Sequence, residues 1–400
     1  MRITISLNRA VVLGTARSGQ AAAALLERNG VEVVVADRSL GNDDDLRLLE
    51  GADVLVKSPG VPRGNTLVVA AEGAGVPIWS EVELGYRFLP NSILGVTGTN
   101  GKTTTTEWLG AMFRSADRDV AVAGNVGAAL TGVEALAKTW IVCELSSFQL
   151  EDVHEFRPRI AVLVNLEPDH LDRHGSFDAY RDAKLRIFEN QLTDDTAVVP
   201  RGFGPVSGGG TRVEFSADDE LPAEPGLPGR HNRENAAAAT AAARAAGIPD
   251  DAIAEALRAF PGVAHRLELV AEVDGVRFVN DSKATNTAAA RRALAAYDVP
   301  LHVILGGSRK GESFDELAHE VHGTAYVIGE TANELADALG RAGVPYVVSG
   351  DLATAVAAAA DAARPGEVVL LSPACASYDQ FRDFEERGEE FRRLVQNLSG

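Results

Sequence analysis

The feature that most constrains this chain is an apolar run that empties into a loop of glycines and hydroxyl side chains. Residues 92–105 read Ser-Ile-Leu-Gly-Val-Thr-Gly-Thr-Asn-Gly-Lys-Thr-Thr-Thr. Residues 93–97 read as a buried strand, and Trp108, Leu109 and Met112 recur at helical spacing just beyond. A strand, a glycine-bracketed loop and a helix in that order suit a nucleoside triphosphate. Gly98 and Gly101 free backbone N–H groups to surround phosphate oxygens, Lys102 adds a cation, and Thr103 offers a hydroxyl to Mg2+. The loop departs from a standard phosphate loop, since Val96 holds the slot of the first glycine and Gly95 lies one place early. Its strand-before, helix-after setting predicts ATP binding.

The flanking sequence extends an α/β scaffold both ways. In residues 1–90, strands are expected at 10–13, 31–36 and 54–56, with a glycine turn at 14–19 and a helix at 20–28. Asp37 follows the second strand, as in a dinucleotide fold, but the central glycine of that turn is Ala16. The turn therefore reads equally as a structural βαβ connection or a nucleotide site. Ser58-Pro59-Gly60 follows the third strand, where open α/β sheets hold ligands. Residues 91–262 form a second unit with strands at 93–97, 140–143 and 160–164, a loop-rich stretch at 202–229 holding a short strand near 212–215, and alanine-dense helices at 234–246 and 251–259. Phe260-Pro261-Gly262 breaks the chain, and residues 263–400 alternate strands (276–279, 301–305, 326–328, 368–371) with helices.

Composition narrows the function. A formal charge of -19 argues against a nucleic-acid backbone or an anionic membrane surface as partner. No stretch approaches the roughly 18 apolar residues that span a bilayer, and the opening Met-Arg-Ile-Thr-Ile-Ser leads into no long apolar segment with a small-residue cleavage site, so a secretory leader is not expected. Cys143 and Cys375 lack metal-site spacing and read as small buried hydrophobes. A cytoplasmic location is expected.

Polar residues gather after strands. Glu144, Ser146 and Ser147 follow the strand at 140–143; Asn165, Asp169 and His170 follow 160–164. In a parallel sheet these share the carboxyl edge with the phosphate loop. Glu144 is then either a Mg2+ ligand or a cap for the next helix. Lys184 falls on the inward stripe formed by Phe177, Tyr180, Ile187 and Phe188, so it either snorkels outward or is buried and loses its proton. A neutral amine there could be carbamylated by CO2 to bind a metal. Asn232 and Asn235 open a helix, as caps or as readers of a purine edge. The stretch 280–286, Asn-Asp-Ser-Lys-Ala-Thr-Asn, is dense in directed donors and acceptors. Gly306–Gly311 carries Arg309 and Lys310, two cations suited to carboxylates, and 372–377 is built of small residues and hydroxyls.

Taken in order, these stretches resemble the Mur ligase family over essentially the whole chain. The matching segments are 97–103, Gly124-Asn125-Val126-Gly127, 144–150, Asp169-His170, 183–185, His231-Asn232, His265-Arg266, 280–286 and 371–381. The phosphate-loop motif marks the whole superfamily, folylpolyglutamate synthetases included. Leu-Ser-Pro-Ala-Cys-Ala-Ser-Tyr-Asp-Gln-Phe at 371–381 is narrower and points to a member that adds D-glutamate.

The resemblance implies a three-domain α/β architecture: a Rossmann-like UDP-substrate domain (1–90), a central ATP-binding domain (91–262) and a Rossmann-like carboxyl-terminal domain (263–400) that binds the incoming amino acid and closes over ATP. It implies an ATP-dependent ligase, acting as a monomer, that joins D-glutamate to UDP-N-acetylmuramoyl-L-alanine through an acyl phosphate, with two Mg2+ ions. By the same resemblance Gly98, Thr99, Asn100, Gly101, Lys102, Thr103 and Thr104 would hold ATP phosphates. Thr103 and Glu144 would serve one Mg2+, with His170 and a carbamylated Lys184 serving the other. Asn232 and Asn235 would meet adenine, Arg266 and Asp281 the ribose and phosphates, and Lys283 the reacting phosphate. Thr15, Asp37, Arg38, Ser58, Pro59, Gly60 and Asn125 would grip the UDP-linked substrate. Thr285, Lys310, Ser372 and Phe381 would hold D-glutamate.

Three departures stand out: a short 190–229 region, Ser308-Arg309 where an acidic-glycine pair is expected, and the atypical 14–19 turn. Two other readings compete, a folylpolyglutamate synthetase-like ligase with another acceptor and a nucleotide-dependent binding subunit without chemistry. The 371–381 stretch opposes the first, and the full metal set opposes the second.

Overall fold

The computed structural model describes residues 7–398, apart from Val126, Ala135, Pro228, Lys310 and the side chain of Asp172. Valine-rich runs form the strands of the first sheet: β1 (Arg9–Leu13), β2 (Glu32–Ala36), β3 (Val54–Lys57) and β4 (Ile78–Ser80). They lie parallel in the order β2-β1-β3-β4. The second sheet holds β5 (Ile93–Thr97), β6 (Val120–Gly124), β7 (Trp140–Glu144), β8 (Ile160–Leu163), β9 (Thr196–Pro200) and β10 (Thr211–Phe215). It too is parallel, in the order β10-β9-β8-β5-β7-β6. The third contains β11 (Glu268–Val273), β12 (Val276–Asn280), β13 (Leu301–Gly306), β14 (Gly323–Ile328), β15 (Tyr346–Gly350) and β16 (Val368–Leu371). Its order is β11-β12-β16-β13-β14-β15, with β11 alone antiparallel to its neighbour. Chain contacts divide the molecule into two compact units, Met1–Phe260 and Pro261–Gly400. The first holds two sheets and the second holds one.

Within the first unit, buried carboxylates tie the two sheets. Ser80 caps the helix Glu81–Phe88 through Glu83 N–H. Glu83 is fully buried, and its carboxylate accepts N–H groups from His154 (2.8 Å), Glu155 (3.0 Å) and Phe156 (2.9 Å), as well as Arg87 Nε (2.6 Å). Charge-assisted bonds of this kind offset the cost of burying a carboxylate. Glu81 accepts from Thr131 Oγ1 at 2.7 Å in the same way.

The alanine-dense helix Arg230–Ala245 has a structural reason beyond helix propensity. Ala236–Ala239, Ala242 and Ala243 are buried against Trp108, Leu109 and Met112 of the helix Lys102–Ser115. Methyl-sized side chains let the two helices approach closely and bring Asn235 onto the phosphate loop. Fully burying side chains the size of Leu109 and Met112 stabilises the unit by about 1.5–3 kcal/mol each.

Strands β4, β6, β9, β11 and β15 are additional to those expected from sequence, and β10 covers the short strand expected near 212–215. β6, Val-Ala-Val-Ala-Gly, has alanine at two of its five positions and carries little hydrophobic weight, although it positions Asn125.

Candidate active site

β5 lies between β8 and β7, so three adjacent strands end together at one edge. Beyond β5, Thr97 Oγ1 donates to Leu145 O, and the loop turns over Gly98–Gly101 into the helix Lys102–Ser115. Gly101 has φ +76°, and a Cβ there would lie 2.0 Å from Asn235 Oδ1. Only glycine fits both demands. Asn165, after β8, fastens the loop: its Oδ1 accepts Asn100 N–H (2.8 Å) and its Nδ2 donates to Asn100 O (3.2 Å). Lys102 Nζ bonds Gly98 O (3.0 Å) and Thr99 O (2.9 Å), which holds its charge inside the loop's curve. Thr103 and Thr104 are buried at the start of the helix.

Glu144 ends β7 and is almost wholly buried. Its Oε1 accepts Asn125 Nδ2 at 2.9 Å, while Oε2 is buried without a hydrogen-bond partner. Asn125 follows Gly124, whose φ is +111° and whose Cβ would strike Glu144 O at 2.2 Å. Glu144 does not cap the next helix, because Ser146 and Gln149 form a reciprocal capping box there. A buried carboxylate oxygen with no proton donor suits a hard divalent cation. The donors Glu144 and Thr103 are therefore of the right chemistry for Mg2+. Among the described residues no group of three or more His, Cys, Asp or Glu side chains gathers as a metal cluster, so any metal set here draws on hydroxyl and lysine groups as well.

Lys184 does not snorkel. It is 2% exposed, and its Nζ donates to Gly98 O at 2.7 Å. Burial, with Lys102 as the next cause, pulls its amine down to about 7. Its Nζ sits 4.7 Å from the Tyr180 ring centre. Tyr180 in turn bonds Thr99 Oγ1 through its hydroxyl (3.0 Å) and packs 6.4 Å, ring to ring, from His170. Burial pushes the Tyr180 hydroxyl up to about 12, so it stays protonated. His170 adopts φ +50° ahead of the helix Leu171–His174 and is half-exposed, with Nε2 3.6 Å from Asp169 Oδ2. Lys102, Glu144, Lys184 and His170 thus share one sheet edge. Sequence spacing assigned Tyr180 to the core stripe only; the part it missed is the hydroxyl, which a core Phe would lack.

Asn232 and Asn235 lie inside the helix Arg230–Ala245 and neither is its cap residue, since Gly229 occupies that position. Asn235 packs on Gly101, and Asn232 is half-buried one turn earlier.

At the first sheet's carboxyl edge, Asp37 Oδ2 accepts Thr15 N–H (2.7 Å) and Thr15 Oγ1 (2.8 Å), and Oδ1 accepts from Ser39. The Ser39 bonds first, then those of Thr15, hold the Asp37 carboxyl well below the usual range. Ser58 Oγ reaches Gly14 O, joining the loop after β3 to the turn after β1. Pro59 is half-buried; Arg38 and Gly60 are exposed at this edge.

In the second unit, the stretch 280–286 divides by position. Asn280 bonds His265 Nδ1 and Gly388 O, Ser282 bonds Phe384 O, and Asn286 caps the helix Thr287–Leu294. Those three are used internally. Asp281 Oδ2 accepts Ser372 Oγ (2.8 Å) and Oδ1 accepts Leu267 N–H (3.2 Å); burial raises its carboxyl to about 6 despite those bonds. Lys283 Nζ lies 5.9 Å over the Phe384 ring, and Thr285 is half-buried beside it. Arg266 is exposed. Ser372 is fully buried with its hydroxyl given to Asp281, and Phe381 is part-buried against the core. Lys310 lies outside the described residues. Ser308 bonds Asp379, and Arg309 pairs with Glu334. Arg387, which sequence reasoning passed over, is buried and donates to Ser282 O, Ser282 Oγ, Cys375 O and Ala376 O, stitching the two loops together. Burial pulls its guanidinium down to about 10.

Residues 96–202 match the model of the Mur ligase middle domain, and residues 265–375 that of the Mur ligase, glutamate ligase domain. A UDP-N-acetylmuramoylalanine–D-glutamate ligase of Pelotomaculum thermopropionicum is 42% identical over 448 residues, covering 98% of each chain. One from Acidobacterium capsulatum is 40% identical over 442 residues, covering 97% of this chain and 96% of its own. Among solved structures, the UDP-N-acetylmuramate-alanine ligase of Thermotoga maritima superposes with a TM-score of 0.60 at 20% identity, covering 98% of this chain and 100% of that one. The bifunctional folylpolyglutamate synthase/dihydrofolate synthase of Yersinia pestis, complexed with AMPPNP and Mn ion, gives 0.55 at 18% identity, covering 76% and 90%. The two solved structures share the fold; the two relatives carry the closer kinship. With both domain models and near-full-length relatives in agreement, the chain belongs to the Mur ligase family, alongside the UDP-N-acetylmuramoylalanine–D-glutamate ligases.

Proposed function

We propose that the chain is an ATP-dependent ligase that adds D-glutamate to UDP-N-acetylmuramoyl-L-alanine in peptidoglycan precursor synthesis. The observation that carries this reading is the kinship at about 40% identity over nearly the whole chain, joined to a phosphate loop with Glu144 and Lys184 on the same sheet edge. An oxygen of the substrate's alanyl carboxylate attacks the γ-phosphorus of ATP, and the bond to the bridging oxygen breaks to release ADP. The amine of D-glutamate then attacks the acyl carbon, phosphate leaves, and the nitrogen gives up a proton as the amide forms.

The chain's residues serve this sequence by position. Backbone N–H groups of residues 101–104 cradle the phosphates, those of Thr99 and Asn100 being given to Asn165, and the Lys102 ammonium offsets charge gathering on the transferred group. Asn165 and Tyr180 keep the loop in shape through Asn100 and Thr99. Asn232 and Asn235 are assigned to the adenine. Glu144 and Thr103 would hold one Mg2+, and His170 with a carbamylated Lys184 the other; a divalent cation supplies positive charge to phosphate oxygens. An amine near its ionisation midpoint at pH 7 has the neutral fraction that reaction with CO2 requires. Thr15, Asp37, Arg38, Ser58, Pro59 and Gly60 grip the UDP group, and Asn125 orients the muramoyl end. Arg266 and Asp281 are assigned to the ribose and phosphates of ATP and Lys283 to the reacting phosphate, while Thr285, Lys310, Ser372 and Phe381 are assigned to the incoming D-glutamate. No described helix is long and apolar enough to cross a membrane.

The test is phosphate release from ATP in the presence of UDP-N-acetylmuramoyl-L-alanine, with D-glutamate, L-glutamate, other amino acids or a folate acceptor. Release dependent on D-glutamate is expected. Release only with the folate acceptor would move the chain to the folylpolyglutamate synthetase-like reading.

A further inference from the structure

A second cluster of buried charge lies in the first unit, away from the phosphate loop. Lys57, the last residue of β3, is fully buried, with Nζ 2.9 Å from Asp152 Oδ2 and 3.3 Å from Val61 O. Arg173 reaches the same carbonyl. Its Nη2 donates to Val61 O (2.8 Å) and Pro59 O (3.3 Å), the two carbonyls that bracket Gly60. Its guanidinium also lies 3.7 Å from Glu151 Oε2 and 4.8 Å from the Phe148 ring centre.

Two features make this more than a surface ion pair. Arg173 stands three residues after His170, in the helix Leu171–His174. Phe148, beneath the guanidinium, packs 4.9 Å from the His170 ring and is stacked 5.4 Å from His174. One side chain therefore holds the backbone of the loop after β3 and leans on the ring that abuts His170. The planar guanidinium fork does both at once, its Nη2 on the two carbonyls and its carbon over the ring; an ammonium has donors but no planar face to lay on the ring.

We propose that Arg173 is a positioning residue that fixes the loop 58–61 to the segment presenting His170, so that grip on the UDP group and readiness of the metal site are set together. This rests on the reading that Ser58–Gly60 holds UDP and that His170 serves a Mg2+ ion.

The test compares wild type, R173A and R173K. UDP alone is titrated calorimetrically without ATP or Mg2+; the Mg2+ concentration for half-maximal activity and the KM for D-glutamate are then measured. Losing charge-assisted bonds to two carbonyls weakens UDP binding roughly tenfold to hundredfold in R173A. The half-activating Mg2+ concentration rises about fivefold or more, while the KM for D-glutamate stays within about twofold, a split that general destabilisation does not produce. R173K keeps the charge and stem and recovers part of both losses; should R173A fail to fold, R173K decides the matter by the same two readouts. UDP affinity within about twofold of wild type, or weakened UDP binding with an unchanged Mg2+ requirement, overturns the proposal. A wild type that does not bind UDP at all overturns the functional reading first, and this inference with it.

Discussion

Replacing Lys184 by methionine should stabilise the first unit while abolishing activity. The side chain is 2% exposed, and its amine sits at about 7 against an ordinary 10.5. At pH 7 the unfolded chain binds this proton and the folded chain holds it only about half the time, a difference worth at most about 5 kcal/mol against the fold. Relaxation around the amine and its bond to Gly98 O reduce the expected gain on removal to roughly 2–4 kcal/mol. The sign follows from the lowered value. The unfolded state binds more protons between about pH 7 and 10.5, so wild-type stability rises with pH through that window. In CO2-free buffer, urea unfolding of wild type and K184M at pH 7 and pH 9.5 separates Lys184 from every other group by subtraction. K184M should be the more stable at pH 7, and the gap should narrow at pH 9.5. A K184M protein less stable than wild type, with parallel pH profiles, would refute the buried-amine account.

Three further outcomes follow from particular contacts. E144Q keeps the fold but loses activity by about a hundredfold or more, because an amide cannot replace a carboxylate oxygen left for a cation; steady-state kinetics with a melting curve checks it. G101A, whose new Cβ would meet Asn235 Oδ1 at 2.0 Å, should raise the KM for ATP more than that for D-glutamate. Asp281, raised to about 6, favours the folded state less as pH climbs from about 4 to 6; D281N should flatten that dependence in calorimetry of the second unit, removing a penalty of at most about 3 kcal/mol at pH 7.

What the sequence made legible was local. The phosphate loop, Glu144 and Lys184 were readable because each sits a fixed number of residues from a strand end or on a helix stripe. The α/β class followed from alternating apolar runs. Strand β6 escaped because Ala121 and Ala123 give a weak hydrophobic signal, although its end carries Asn125. Polar density at 280–286 suggested a ligand-facing loop but could not tell direction: Asn280 and Ser282 turn inward to Gly388 and Phe384. Nothing in the sequence singles out Arg173 or Arg387, since their acceptors include backbone carbonyls from distant segments that no spacing reveals.

The most direct measurement labels the alanyl carboxylate of UDP-N-acetylmuramoyl-L-alanine with 18O and follows it during turnover with ATP and D-glutamate. If that carboxylate takes the γ-phosphoryl group and is then attacked by the amine, one 18O appears in each released phosphate. Unlabelled phosphate accompanied by amide product would contradict the account.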